Sequence, residues 1–270
     1  MSLFLCATCG TLFPDGPTPP AACPICEDAR QWVPGQGQSW TTLEALQARH
    51  FNAWRKVAPG LIGLSTQPAF AIGQRAFLVQ TPHGNLLWDC ISLFDEATRD
   101  IIAGLGGLKA IALSHPHYYG TMALWAAAFD CPVYLHEADR EWLVRPDPRI
   151  VHWRGERLEP LPGLVLHNFG GHFPGSSVLH WEAERRLLVG DTVLVTLDGR
   201  HVAFMWSYPN YVPLPAAEVA RLAARFEALD FEALHSAFWD RSDILSGAKE
   251  AVRRSAERCL NGPGQPFTLG

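Results

Sequence analysis

Residues 114–120 read Ser114-His115-Pro116-His117-Tyr118-Tyr119-Gly120, directly after the apolar run Ala110-Ile111-Ala112-Leu113. A short apolar run of this kind is consistent with a buried strand. Histidines two apart at its end can aim both imidazoles at one point above a sheet. A His-x-His pair alone is weak evidence for a site. Three further segments share its design. Gly170-Gly171-His172-Phe173-Pro174-Gly175-Ser176 puts a third histidine in a glycine-rich turn, where backbone can approach a site closely. Leu187-Leu188-Val189-Gly190-Asp191-Thr192 ends an apolar run with a carboxylate, and Leu86-Leu87-Trp88-Asp89-Cys90 ends another the same way. Polar residues at the ends of successive buried strands, each beside a turn, are what a site on a rigid scaffold requires.

Outward from these segments, short apolar runs separated by turn residues predict strands at Leu61–Ser65, Arg75–Gln80, Asn85–Asp89, Ala110–Leu113, Pro132–Leu135, Leu164–Phe169, Ser177–Trp181, Arg186–Val189, His201–Met205 and Phe231–His235. Helical spacing predicts helices near residues 93–105, from Thr121, and over Ala138–Val144, Ala216–Leu229 and Ser246–Cys259. Thr41 or Thr42 is placed to cap a further helix, Leu43–Arg55. Met205–Tyr211 has no regular period and reads as a loop, whose aromatic side chains are expected to cap the site. Two runs of strands, each trailed by helices, predict an α+β protein with two sheets packed face to face and helices outside.

Taken together, these segments resemble the metallo-β-lactamase superfamily from about Gly60 to the C-terminus. The resemblance implies an αββα sandwich with metal bound at one edge between the sheets. It implies that His115, His117 and His172 ligate one metal, that Asp191 bridges or ligates, and that Asp89 orients the histidine loop. The family pattern is His-x-His-x-Asp-His, and here the chain departs from it. Tyr119 stands where the aspartate would be, and Gly120 where a second-metal histidine would be. The late histidine of the family corresponds to His235, which lacks the usual following glycine. Asp191 with His235 would hold a second ion poorly, so the expectation is one zinc ion on three imidazoles with an open position. Asp191 would complete the shell or accept a proton from water, and Tyr119 is a candidate donor to an oxyanion. His136 reads as structural.

The N-terminus carries a separate signal. Cys6-Ala7-Thr8-Cys9 and Cys23-Pro24-Ile25-Cys26 are two pairs with two-residue gaps, which tight turns can present to one metal. Four thiolates suit zinc and equally suit one iron. The segment resembles a zinc ribbon or a rubredoxin-like module. The expected organisation is a four-cysteine module over residues 1–35, a linker Gln36–Trp40, and a main domain over residues 41–270.

The chain has 270 residues, 48% of them hydrophobic, with a net charge of −5 and no block of Lys or Arg. A nucleic-acid or anionic-membrane partner would normally leave a basic stripe, so neither is expected. The opening Met-Ser-Leu-Phe-Leu-Cys lacks a basic region, which predicts no secretory leader and a cytoplasmic protein. A small-molecule substrate is expected, and the sequence leaves a homodimer open. The leading reading is hydrolysis by metal-activated water. Iron-dependent redox chemistry served by a rubredoxin-like module, or a binding protein with a degenerate site, are the alternatives.

Overall fold

The computed structural model describes residues 2–239 and 243–261. Two large sheets dominate it. The first has seven strands in the order Phe51–Ala58, Leu61–Gln67, Arg75–Thr81, Gly84–Trp88, Ala110–Ala112, Val133–His136 and Ile150–Trp153. Its first four strands are antiparallel, and from Gly84–Trp88 onward the pairings are parallel. The second has five strands, ordered Arg157–Leu161, Leu164–Asn168, Ser177–Trp181, Arg186–Leu188 and Ala233–His235, the last pair parallel.

Strand alternation assigns each side chain to a layer. In Arg75–Thr81, Phe77 and Val79 face the second sheet, where they meet Leu166, Leu179 and Leu188. Ala76 and Leu78 face outward onto Ile102 and Trp125 of the helices Glu96–Gly104 and Met122–Phe129. In the second sheet Val178, Leu187 and Leu234 face outward onto Val219, Leu222, Phe226 and Val252 of the helices Ala216–Glu227 and Ala248–Asn261. The result is four layers, helix–sheet–sheet–helix, the α+β sandwich expected from the sequence. No helix among the described residues is long and apolar enough to cross a membrane.

The expected helix Leu43–Arg55 is a correction. The helix stops at Gln47, and Phe51–Ala58 is an edge strand paired with Leu61–Gln67. Thr42 does cap the short helix, its hydroxyl accepting from the Ala45 amide at 3.2 Å. The strand is half-exposed and carries Arg55 and Lys56, so ladder hydrogen bonds rather than local propensity decide its state. Residues 138–144 likewise differ: a short 3₁₀ segment, Glu137–Trp142, replaces the expected helix.

The four-cysteine module is bonded into this body. Its strand Phe4–Cys6 pairs with Trp40–Thr42, so the end of the expected linker is one side of a two-stranded ribbon. Leu5 and Leu12 are buried with Leu43, Leu46 and Leu93, and each such side chain contributes about 1.5–3 kcal/mol. The cysteines pack with Trp40, Ile72, Trp142 and Val144. The Leu12 amide donates to the Gly120 carbonyl at 3.1 Å, tying the module to the histidine loop.

Gly10 makes this docking possible: its φ is +79°, and a Cβ there would sit 2.0 Å from Ser92 Oγ. Gly10→Ala should therefore destabilise the chain by roughly 1–3 kcal/mol. Chemical denaturation reads this directly, and an unchanged midpoint would show that the module does not rest on Ser92.

Candidate metal centre

Every residue of the centre leaves a strand end or an adjoining turn on one edge of the sandwich. After Ala110–Ala112 the chain reaches Ser114, whose amide donates to Asp89 Oδ1 at 2.7 Å. Asp89 itself stands at the end of Gly84–Trp88 with φ +60°, a conformation that aspartate tolerates better than most residues. The Ser114 carbonyl accepts from the Ser177 amide at 2.9 Å, which links the loop to the second sheet. His115 follows in extended backbone, and Pro116–Tyr118 is a single 3₁₀ turn.

On the second sheet, the turn between Leu164–Asn168 and Ser177–Trp181 delivers His172. Asp139 holds that turn by accepting from the Gly175 amide at 2.7 Å. Asp191 lies just beyond Arg186–Leu188. One nitrogen or oxygen from each of His115, His117, His172 and Asp191 lies within 4.8 Å of the others, and all four residues are buried.

The ring nitrogens show which atoms face inward. His172 Nδ1 donates to the Trp206 carbonyl at 2.8 Å, leaving Nε2 with its lone pair, 3.3 Å from His117 Nδ1. His115 Nδ1 lies 2.9 Å from Ser114 Oγ, and its Nε2 lies 3.5 Å from Asp191 Oδ2 without a hydrogen-bond partner among the described residues. Burial, then the neighbouring His115 and His172, holds the His117 imidazole well below its ordinary pKa. Burial, then His115, holds His172 down at about 3. Both are therefore neutral lone-pair donors at neutral pH. Burial alone would raise the Asp191 carboxyl, but His115, His172 and Tyr118 outweigh it and keep the group ionised. Three imidazoles and a carboxylate converging, each with an atom left free to face the others, are the donor set of a divalent transition metal. The residues fit such an ion.

The second cluster also fits a metal. The Sγ atoms of Cys6 and Cys26 are 3.5 Å apart, and those of Cys9 and Cys23 3.6 Å, with no disulfide among them. A tetrahedron with bonds of about 2.3 Å has edges of roughly 3.8 Å, close to this spacing.

Two expected site residues stand elsewhere. Tyr119 packs beside Leu12, Met122, Ala123 and Leu143, away from the imidazoles, and the hydroxyl at the centre belongs to Tyr118. Tyr118 Oη donates to Asp191 Oδ1 at 2.5 Å, and burial keeps the phenol protonated. The 3₁₀ turn explains the exchange, because successive side chains in it diverge by about a third of a turn. His235 lies outside the group of four. Its register partner is Leu188, and its ring faces between the sheets, edge-on to Phe77 at 6.0 Å. There Nε2 lies 3.2 Å from Arg186 Nη1 and Nδ1 lies 3.5 Å from Asp243 Oδ2. His136 is structural: its ring accepts from the Ala138 amide and donates to the Gly155 carbonyl.

Above His117, His172 and Asp191 opens a cavity of about 440 Å³. Tyr208 and Phe238 form part of its wall, and Tyr208 Oη donates to the Asp191 carbonyl at 3.2 Å. The expected aromatic loop is in part a ribbon, Met205–Ser207 paired with Val212–Pro213. Tyr211 points into solvent, so only some of its rings reach the site.

Residues 71–237 match the model of the metallo-beta-lactamase superfamily. The chain belongs to that superfamily. Over 266 residues it is 46% identical to an uncharacterized protein, YmaE, of Bacillus subtilis (strain 168), covering 96% of each chain. It is 28% identical over 127 residues to the probable metallo-hydrolase YybB of the same organism, covering 41% of this chain and 57% of that one. Among solved structures, the metallo-β-lactamase FIM-1 from Pseudomonas aeruginosa in its mono-zinc form superposes with a TM-score of 0.56 at 14% identity, over 77% of this chain and 96% of that one.

The departure from the superfamily's His-x-His-x-Asp-His pattern has a backbone cause at its last position. Gly120 has φ +45°, and a Cβ there would lie 2.8 Å from the Ile91 carbonyl oxygen. No side chain fits without moving the loop that carries Ile91. Arg30, Ser114 and Asp139 were not legible as site residues, since none has a spacing signal and each acts through tertiary contact, while Tyr118 and Trp206 were legible only as aromatics of the surrounding loops.

Tyr118→Phe should leave Asp191 without its donor and weaken metal binding at the histidines by about 10–100-fold, as loss of an outer partner commonly does. Tyr119→Phe should change it less than about twofold by the same reasoning. Chelator competition on the two variants checks the assignment, and the reverse ranking would restore Tyr119.

Proposed function

We propose that this chain is a hydrolase of uncharged small-molecule acyl compounds, acting through a single zinc ion held by His115, His117 and His172. The observation that supports it most is the convergence of these imidazoles and Asp191 beneath an open cavity. An ion bound there supplies Lewis acidity, polarising a carbonyl and lowering the pKa of water toward ~7. The chain's own groups handle the proton. Asp191 is ionised, its Oδ1 held by the Tyr118 hydroxyl, and its Oδ2 is the acceptor oriented toward the cluster. Tyr208, protonated and buried, braces the Asp191 backbone from the cavity side.

Gly120, and His235 facing away between the sheets, support one ion rather than two. The substrate class follows from the walls. Trp32, Pro34, Ile72 and Phe238 are apolar, and among the described residues no Lys or Arg lines the cavity. An ester, thioester or amide with an apolar acyl group suits such walls better than a phosphoester dianion, whose countercharge would be the ion alone. The four thiols would hold zinc or one iron, and such a reduced cluster suits the cytoplasm.

Purified wild-type protein should carry one metal per histidine cluster and one per cysteine cluster. It should cleave apolar esters or thioesters faster than phosphomonoesters. His117→Ala should keep the cysteine-bound metal and lose at least about a thousandfold in kcat/KM, on the order of 4 kcal/mol of transition-state stabilisation. Metal analysis alongside an ester and phosphoester panel tests this. Undiminished turnover in His117→Ala, or a preference for phosphoesters, would sink the reading.

A further inference from the structure

The four-cysteine module reaches the histidine centre by a continuous set of contacts. Asn210 Nδ2 donates to the carbonyls of Ala29 and Gln31, both at 3.0 Å, and Ser207 Oγ donates to the Arg30 carbonyl at 3.0 Å. Those bonds fix the ribbon that carries Trp206, and the Trp206 carbonyl accepts from His172 Nδ1. The Arg30 side chain enters the same place. Asp28 accepts two hydrogen bonds from its Nη1, at 2.9 and 3.0 Å, and its guanidinium lies 4.3 Å from the Phe173 ring and 5.2 Å from the Trp206 ring. Phe173 in turn sits edge-on to His117 at 4.9 Å and to His172 at 5.1 Å. The knuckle residues Ala7 and Thr8, with Gln31 and Trp32, complete the cavity wall facing those imidazoles.

We propose that the four-cysteine module is a working part of the histidine centre: through Arg30 and the Ala29–Gln31 backbone it positions His172, and with Thr8 and Trp32 it closes the cavity. Arg30 and Asn210 are positioning residues, acting on the metal through His172 and Trp206. A planar guanidinium between two aromatic rings is not replaced by an ammonium, so Arg30→Lys should behave like Arg30→Ala. The inference rests on the proposed metal site.

Cobalt(II) is the probe, because thiolate and imidazole sites give distinct absorption bands. Wild-type protein should fill both sites. Arg30→Ala and Asn210→Ala should keep the thiolate bands and the thermal midpoint, while cobalt affinity at the histidines falls about 10–100-fold. If Arg30→Ala does not fold, Asn210→Ala and Ser207→Ala carry the same comparison. Histidine-site affinity within about twofold of wild type in these variants would overturn the coupling alone, being well short of an outer-partner effect. A wild-type chain that takes cobalt only at its thiolates would overturn both the coupling and the metal-site reading beneath it.

Discussion

Three imidazoles and a carboxylate are buried within 4.8 Å of one another at one edge of the sandwich. Each unpaired polar atom so placed costs about 1–3 kcal/mol unless something satisfies it. The remaining architecture can be understood as the apparatus that holds this arrangement against its own cost. The Asp89 carboxylate fixes the amide that begins the histidine loop, Asp139 fixes the turn that carries His172, and the Trp206 carbonyl fixes the His172 tautomer. These partners come from both sheets and from segments far apart in the chain. The centre therefore forms only when the whole sandwich has formed.

The same dependence explains what was legible in the sequence. Fully buried strands such as Gly84–Trp88 and Ala110–Ala112 are plain apolar runs, and the residues at their ends announced a site. Edge strands are harder. Ile150–Trp153 and Arg157–Leu161 carry no clear signal, since exposed Val151 and half-buried His152 in the first and exposed Arg157 and Glu159 in the second blur the alternation. Residues 51–55 fall within the expected helix because an edge strand owes its state to a neighbour not visible in local sequence.

Within the site, the choice between Tyr118 and Tyr119 turned on a single 3₁₀ turn. Alignment with the superfamily pattern points to the residue in the aspartate's place, but the direction of a side chain is set by backbone geometry. Arg30 illustrates a further limit. It lies 87 positions before His117 in the numbering and carries no motif, so only the packed structure shows it stacked beside the histidine-bearing turn.

Gly120 and Tyr119 together also alter how a proton can be managed. Where a second ion or an aspartate would stand, this chain has a glycine locked against Ile91 and a tyrosine turned into the core. In the proposed hydrolysis, proton acceptance then falls to Asp191, whose Oδ1 is engaged by Tyr118. A carboxylate held by a phenol has one oxygen fixed in place and the other left to interact with the cluster, which is a firmer orientation than a solvated carboxylate would have. Tyr119 and Gly120 are both buried. Leu12 of the cysteine module bonds to Gly120 from one side, and Trp32 stands at the cavity wall. On the proposed one-ion reading, the glycine and the module are two aspects of one arrangement, in which protein borders the site where a second ion would stand.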